Sequence, residues 1–227
     1  MKIDLLYDLK LSGVKWELLN SILSKDFQQE KQVVEQIKNE DTNTIAPIAP
    51  ISILSAKEIA YKVNNFSELC KEINNFNHPL KMFAKNTILP TIGENILVLT
   101  DPPSSEDDES GQILSGTTGE FFEKMLNAIG TNRNLISICP LMFWRTPGNR
   151  TPTEEELSLT VPFIDKFIEL TIPKVILTLG VLAEKYQLKN NLNIKKFSIP
   201  SPNHMILKPD LKRFAWEQLQ KLLKTLE

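Results

Sequence analysis

Only two cysteines, Cys70 and Cys139, occur in 227 residues, too few for a disulfide framework or a four-thiolate metal site. No apolar run approaches the ~18 uninterrupted residues that a membrane-spanning helix needs. Leu135–Trp144 and Val175–Ala183 have the length of core strands instead. The first apolar stretch contains Asp4 and Asp8, unlike the hydrophobic segment of a secretory signal. Neither sign of charge dominates, with 26 Lys+Arg against 28 Asp+Glu and a formal charge of −2. There is no Gly-x-Ser-x-Gly elbow, no Walker loop and no dinucleotide glycine fingerprint, which leaves a hydrolase of another small substrate without support. What remains, at 41% apolar and 24% charged, is ordinary globular composition. The expectation is a cytoplasmic, reduced, monomeric chain with no membrane association, forming one large domain or one domain plus an appendage.

The near-zero charge hides a polarity. Lys185 to Glu227 holds nine Lys+Arg against Asp210, Glu217 and Glu227, whereas five of the nine residues Asp101–Glu109 are acidic. A basic C-terminal quarter is either the footprint of a protein that meets phosphates or a solvated helix face.

Hydrophobic spacing orders the chain. Residues 1–40 read as a helical extension: Leu5, Leu6 and Leu9 form one stripe, Ser12–Gly13 breaks it, and Trp16, Leu19, Ile22 and Leu23 resume it. The Pro-bearing, aperiodic stretch Glu40–Ser52 reads as a linker, placing the boundaries at 1–40, 41–54 and 55–227. Ser67–Asn74 reads as a short helix and Ile96–Thr100 as a buried strand that opens a long loop, Asp101–Gly119. Phe121, Phe122, Met125, Leu126 and Ile129 mark a helix stopped by Gly130. Leu135–Cys139 is a second strand and Pro140–Pro152 a Pro/Gly-rich loop. Thr153 caps a helix with three glutamates in its first turn and Leu157, Val161, Ile164, Phe167 and Ile168 as its buried stripe. Val175–Leu179 is a third strand ended by Gly180; a short helix, a fourth strand at Phe197–Ile199 and a closing helix from Leu211 follow. Short apolar strands alternating with longer helices imply an α/β fold, a parallel sheet covered on both faces. Ligands of such sheets bind at the C-terminal strand ends, here the loops at 101–118, 140–152 and 200–208.

Those loops carry a specific pattern. Arg145-Thr-Pro-Gly-Asn-Arg-Thr-Pro-Thr153, followed by three glutamates and Pro162-Phe163, resembles the Arg-Pro-Pro-Gly-Asn-Arg-Thr-Pro-Thr segment of family-4 uracil-DNA glycosylases. Four echoes are collinear with it: Pro79-Leu-Lys, Phe121–Gly130, Pro173-Lys-Val-Ile-Leu and Lys212-Arg-x-x-Trp216. The similarity runs from Ser67 to Glu227, and residues 1–40 resemble the helical extension of some bacterial members. The resemblance implies a three-layer α/β/α fold around a four-stranded parallel sheet, DNA as partner, and hydrolysis of the N-glycosidic bond of a flipped-out nucleotide. Its transition state, cationic sugar and anionic base, wants a donor to the base oxygen, a polar group placing water, an aromatic plate and an amide reading the base edge.

Role by role, the chain departs from that pattern. The family's Gly-Glu-Ala-Pro-Gly falls on Thr100-Asp-Pro-Pro-Ser104, where Pro103 is identical and Asp101 keeps a carboxylate, either to place water or to start a turn. Downstream, Asp107-Asp108 match a Glu-Asp pair, Gly111 and Gly116 match two glycines, and the phenylalanine plate becomes Leu114, which lacks a stacking face. The base-reading asparagine becomes Pro140, which presents no amide. The family's His-Pro falls on Ser201-Pro202, with His204 three residues later as either a displaced donor or an exposed loop imidazole; loss of one such donor costs about 2.7–4 kcal/mol of barrier. The positions of the iron–sulfur ligands fall near Asn75 and on His78, Trp144 and Thr160, so no cluster and no other metal is expected, with Trp144 filling the volume. Arg145 and Arg150 offer phosphate clamps shaped by Pro147-Gly148-Asn149, which read equally as a capped turn, and Lys195, Lys196, Lys208, Lys212 and Arg213 add basic surface. Two readings stand: a divergent glycosylase using Asp101, His204 and Ser201, or a catalytically inactive module that binds DNA or a repair partner.

Overall fold

A computed structural model describes residues 53–188 and 194–226. The two helices expected in residues 1–40 and the linker through Ser52 lie outside the described residues. Four strands, β1 (Ile96–Thr100), β2 (Ser137–Pro140), β3 (Val175–Leu179) and β4 (Lys195–Ile199), form one parallel sheet in the order β2-β1-β3-β4. The two central strands, ILVLT and VILTL, are buried along their whole length, as parallel strands covered on both faces must be. Their side chains alternate between two cores. Leu97, Leu99 and Ile176 face one side with Leu69, Phe163, Phe167 and Trp144; Val98, Val175 and Leu177 face the other with Phe122, Leu126, Leu219 and Leu222. The result is the expected three-layer α/β/α arrangement.

The first layer holds α1 (Ile53–Lys62), α2 (Phe66–Asn75) and α5 (Glu154–Thr171); the second holds α4 (Gly116–Ala128) and α8 (Leu211–Leu226). Thr153 caps α5 in a reciprocal box: its hydroxyl accepts from Glu156 N at 3.2 Å while the Glu156 carboxylate accepts from Thr153 N at 2.8 Å. Of the expected stripe, Ile164, Phe167 and Ile168 are buried, and Leu157 and Val161 are half-buried.

Several boundaries differ from expectation for local reasons. Asp101–Gly119 is not one loop, because α3 (Ser105–Ser110) occupies its middle and α4 starts at Gly116. No apolar period marks α3; a capping box between Ser104 and Asp107 builds it. Two carboxylates of the acidic run, Asp107 and Asp108, are taken up by this structure. Asp107 accepts from Ser104 N and from the backbone and hydroxyl of Ser115, and Asp108 accepts from Lys85 N and Asn86 N. Strand β2 starts at Ser137 rather than Leu135, since Asn132 caps a 3₁₀ turn over Arg133–Leu135. Strand β4 extends back to Lys195, its lysines exposed at the sheet edge. Helix α1, from Ile53, had no counterpart in the sequence reading. The short helices α6 (Val181–Lys185) and α7 (Pro202–Leu207) complete the chain. No described helix is long and apolar enough to cross a membrane.

Candidate active site and strand-end loops

Strands β1 and β3 are neighbours, but the chain leaves β1 towards β2 and leaves β3 towards β4. A crevice opens at such a divergence. Asp101, the first residue after β1, stands in it. Its Oδ1 accepts from Leu182 N at 3.0 Å and from Ala183 N at 2.9 Å, so this carboxylate caps α6 from across the sheet. Oδ2 lies against Gly180. Burial pushes the Asp101 pKa up, and the backbone N–H groups of Ala183, Leu182 and Val181 pull the other way. The approach works only because residue 180 is glycine: φ is 107°, and a Cβ there would lie 2.1 Å from Asp101 Oδ2.

Asp101 and Ser201 border two cavities. One, of about 220 Å³, is lined by Leu114, Thr118, Asn203 and Leu179. The other, of about 330 Å³, is lined by His204, Glu184, Ser198 and Phe214. The sites expected from sequence therefore divide. Leu114 borders the first cavity, its backbone at φ 54° and its carbonyl held by Arg133 Nη2 at 2.7 Å. His204 borders the second, so it does not share a cavity with Leu114. Ser201 is the N-cap of α7, its hydroxyl accepting from His204 N at 3.3 Å. Pro103 and Pro140, expected in the base pocket, are buried and line neither cavity. Pro140 ends edge strand β2 beside Thr100, which does line the smaller cavity. Sequence reasoning overlooked Asn203, Thr118 and Glu184; the signal for Asn203 was its place right after the Ser201-Pro202 helix start.

The strand-two loop is tied down by its own polar groups. Arg145 Nε donates to Asn149 Oδ1 at 2.8 Å, and its two terminal nitrogens have no partner among the described residues. Arg150 differs from expectation, because both its terminal nitrogens lie on the Glu156 carboxylate, at 2.8 and 2.5 Å. That fork is occupied, and it holds the Glu156 pKa down at about 2. In the basic quarter, Lys196 donates to the carbonyls of Glu184 and Tyr186, Lys212 lies over the Phe121 ring, and Arg213 pairs with Glu217. Lys195 and Lys208 are exposed.

Of the positions aligned with the family's cluster ligands, His78 and Trp144 are in contact. His78 is buried and stacked on Trp144 at 4.8 Å. Its Nδ1 accepts from Leu80 N and its Nε2–H donates to Glu156 O, each at 3.1 Å, and burial lowers its pKa. Trp144 is fully buried, with Nε1 donating to Thr87 Oγ1 at 3.1 Å, and Thr160 donates to Leu141 O at 2.7 Å. An iron–sulfur cluster needs thiolates, and none of these side chains supplies one, so they do not fit that group. Cys139 is buried in the same core as Trp144, its thiol pushed far up by burial, and no group of three metal-binding side chains occurs among the described residues.

A family model described as the uracil DNA glycosylase superfamily matches residues 88–221, more than half of the chain. Three similar relatives are each named type-4 uracil-DNA glycosylase. That of Saccharolobus solfataricus is 31% identical over 121 residues, 52% of this chain and 55% of that protein. That of Sulfurisphaera tokodaii is 32% identical over 92 residues, 40% and 42% of the two chains. That of Pyrobaculum aerophilum is 29% identical over 110 residues, 47% and 56%. The chain spans about half the length of the relatives it matches. By this match the chain belongs to the uracil DNA glycosylase superfamily.

Proposed function

We propose that the protein is a divergent DNA base-excision enzyme that hydrolyses the N-glycosidic bond of a flipped-out nucleotide, weakly or with altered base preference. The observation that carries this is Asp101: a partly desolvated carboxylate at the strand divergence and on the border of both cavities, with Oδ1 held by two backbone N–H groups and Oδ2 lying beside Gly180. An oxygen so placed orients a water for attack on the anomeric carbon and takes its proton. Leu114 provides an apolar wall for the base in the smaller cavity. Arg145 and Lys208 contact phosphates flanking the flipped nucleotide. The protein acts as a cytoplasmic monomer and carries no iron–sulfur cluster, the His78–Trp144 stack holding the second-strand loop in its place. A preparation with iron in stoichiometric amount would contradict that last point.

One observation favours a second reading, a DNA-binding module without chemistry. The same two hydrogen bonds give Asp101 a complete structural role as a helix cap, and His204 borders a different cavity from Leu114. Labelled strands carrying uracil, hypoxanthine or xanthine, single- and double-stranded, separate the two under protein excess. Abasic sites on any of them support the enzyme. DNA binding that weakens steeply with salt, with no abasic product, supports the module. Absence of both refutes both.

A further inference from the structure

We propose that Asn203 reads the edge of the base held against Leu114, and so decides which bases the protein accepts. The assignment rests on the base-excision reading above. It follows from counting the free polar groups of the smaller cavity. Thr100 Oγ1 donates to the carbonyl of Asp101 at 3.0 Å. Ser104 Oγ accepts from Asp107 N at 3.2 Å, and both Asp107 oxygens hold donors of Ser104 and Ser115. Ser201 Oγ accepts from His204 N. Ser104 and Ser201 each keep an O–H to donate, Asp101 Oδ2 lies against Gly180, and the groups left without any partner among the described residues are the Thr118 hydroxyl and the Asn203 amide.

Of these, only the amide presents a donor and an acceptor side by side. A lactam edge, –NH–C=O, as in uracil, hypoxanthine or xanthine, presents the complementary pair, so one amide meets it with two hydrogen bonds. The reader's backbone is fixed in advance. Asn203 is the second residue of α7, after N-cap Ser201 and a proline at the first helical position. It is exposed, so its side chain is available to a ligand entering from solvent. Rotated half a turn, the same amide suits the amidine edge of cytosine; the lactam choice comes from the reading above, and the test separates the two.

The full chain would be titrated by fluorescence anisotropy with strands carrying a non-cleavable 2′-fluoro nucleotide of uracil, hypoxanthine or cytosine. Wild type, Asn203→Ala, Asn203→Asp and Asn203→Gln are compared, with thermal melts confirming folding. Wild type is expected to bind the uracil and hypoxanthine strands at least ~10-fold tighter than the cytosine strand, the scale of one bidentate contact. The alanine variant should lose that preference without weakening the cytosine strand. The aspartate variant, an acceptor only, should lose it too, and glutamine should restore part of it. An alanine variant that keeps the preference overturns the role of Asn203 alone. Wild type that prefers cytosine overturns the lactam class. Wild type that distinguishes none of the strands overturns this assignment, whereas the base-excision reading falls only if the cleavable strands yield no abasic sites.

Discussion

Replacing Asp101 separates its structural role from its chemical one. In Asp101→Ala, two backbone N–H groups at the start of α6 lose their acceptor, and loss of a helix cap of this kind costs about 1–2 kcal/mol. In Asp101→Asn, the amide oxygen keeps accepting from Leu182 N and Ala183 N while a charge that burial disfavours is removed. A neutral acceptor bonds less strongly than a carboxylate, which offsets the relief of that charge, so the asparagine variant should stay within about 1 kcal/mol of wild type. The pH dependence has a definite sign. Since the folded-state pKa of Asp101 is raised, the native protein holds this proton longer than the unfolded chain does. The contribution of Asp101 to stability is therefore full at low pH and declines as pH rises through the folded-state value; in Asp101→Asn this decline is absent. Chemistry responds differently. An asparagine cannot take the proton of an attacking water, and excision should fall by roughly 10²–10⁴-fold. Urea unfolding across pH, together with single-turnover excision, reads both quantities. Equal destabilisation by alanine and asparagine would refute the capping geometry, and an asparagine variant with undiminished excision would refute the catalytic role.

Three further outcomes follow from the same structure. Trp144→Ala removes a fully buried indole stacked on His78 and should cost about 3–5 kcal/mol in urea unfolding, with no dependence on added iron or chelator. Because the folded-state pKa of Glu156 is depressed to about 2, its contribution to stability is present above the ordinary value of 4.5 and lost as pH falls towards 2. Acid unfolding of Glu156→Gln should lack that component. Arg145→Ala should weaken DNA binding equally across sequences and reduce the slope of log affinity against log salt by about 1, whereas Arg150→Ala should act first on the stability of the loop.

The parallel sheet was legible because β1 and β3 are continuous apolar runs, and both occur at their expected residues. The Thr153 cap of α5 was equally plain, since one capping box states its own geometry. Helix α3 was not, because a six-residue polar helix held by Ser104 and Asp107 has no hydrophobic period to display. The site was legible as a place and less so as a set of partners. Strand-end loops follow from topology, and Asp101 stands where the strands diverge. No one-dimensional signal shows that Arg150 is taken by Glu156, that Pro140 lines neither cavity, or that His204 and Leu114 border different cavities. Those facts depend on contacts between residues far apart in sequence. Gly180 shows the same limit: as a strand terminator it was visible, but its reason is the Asp101 carboxylate 2.1 Å from where a Cβ would stand.

The central claim, that a base is cut from DNA at Asp101, is tested most directly by the release of free base. Protein in excess over a strand with a single uracil or hypoxanthine would be incubated, and the small-molecule fraction analysed by mass spectrometry. Free base from wild type and none above background from Asp101→Asn is the expected result. Free base from both proteins alike would contradict the role of Asp101, and none from folded wild type on any strand would contradict base excision itself.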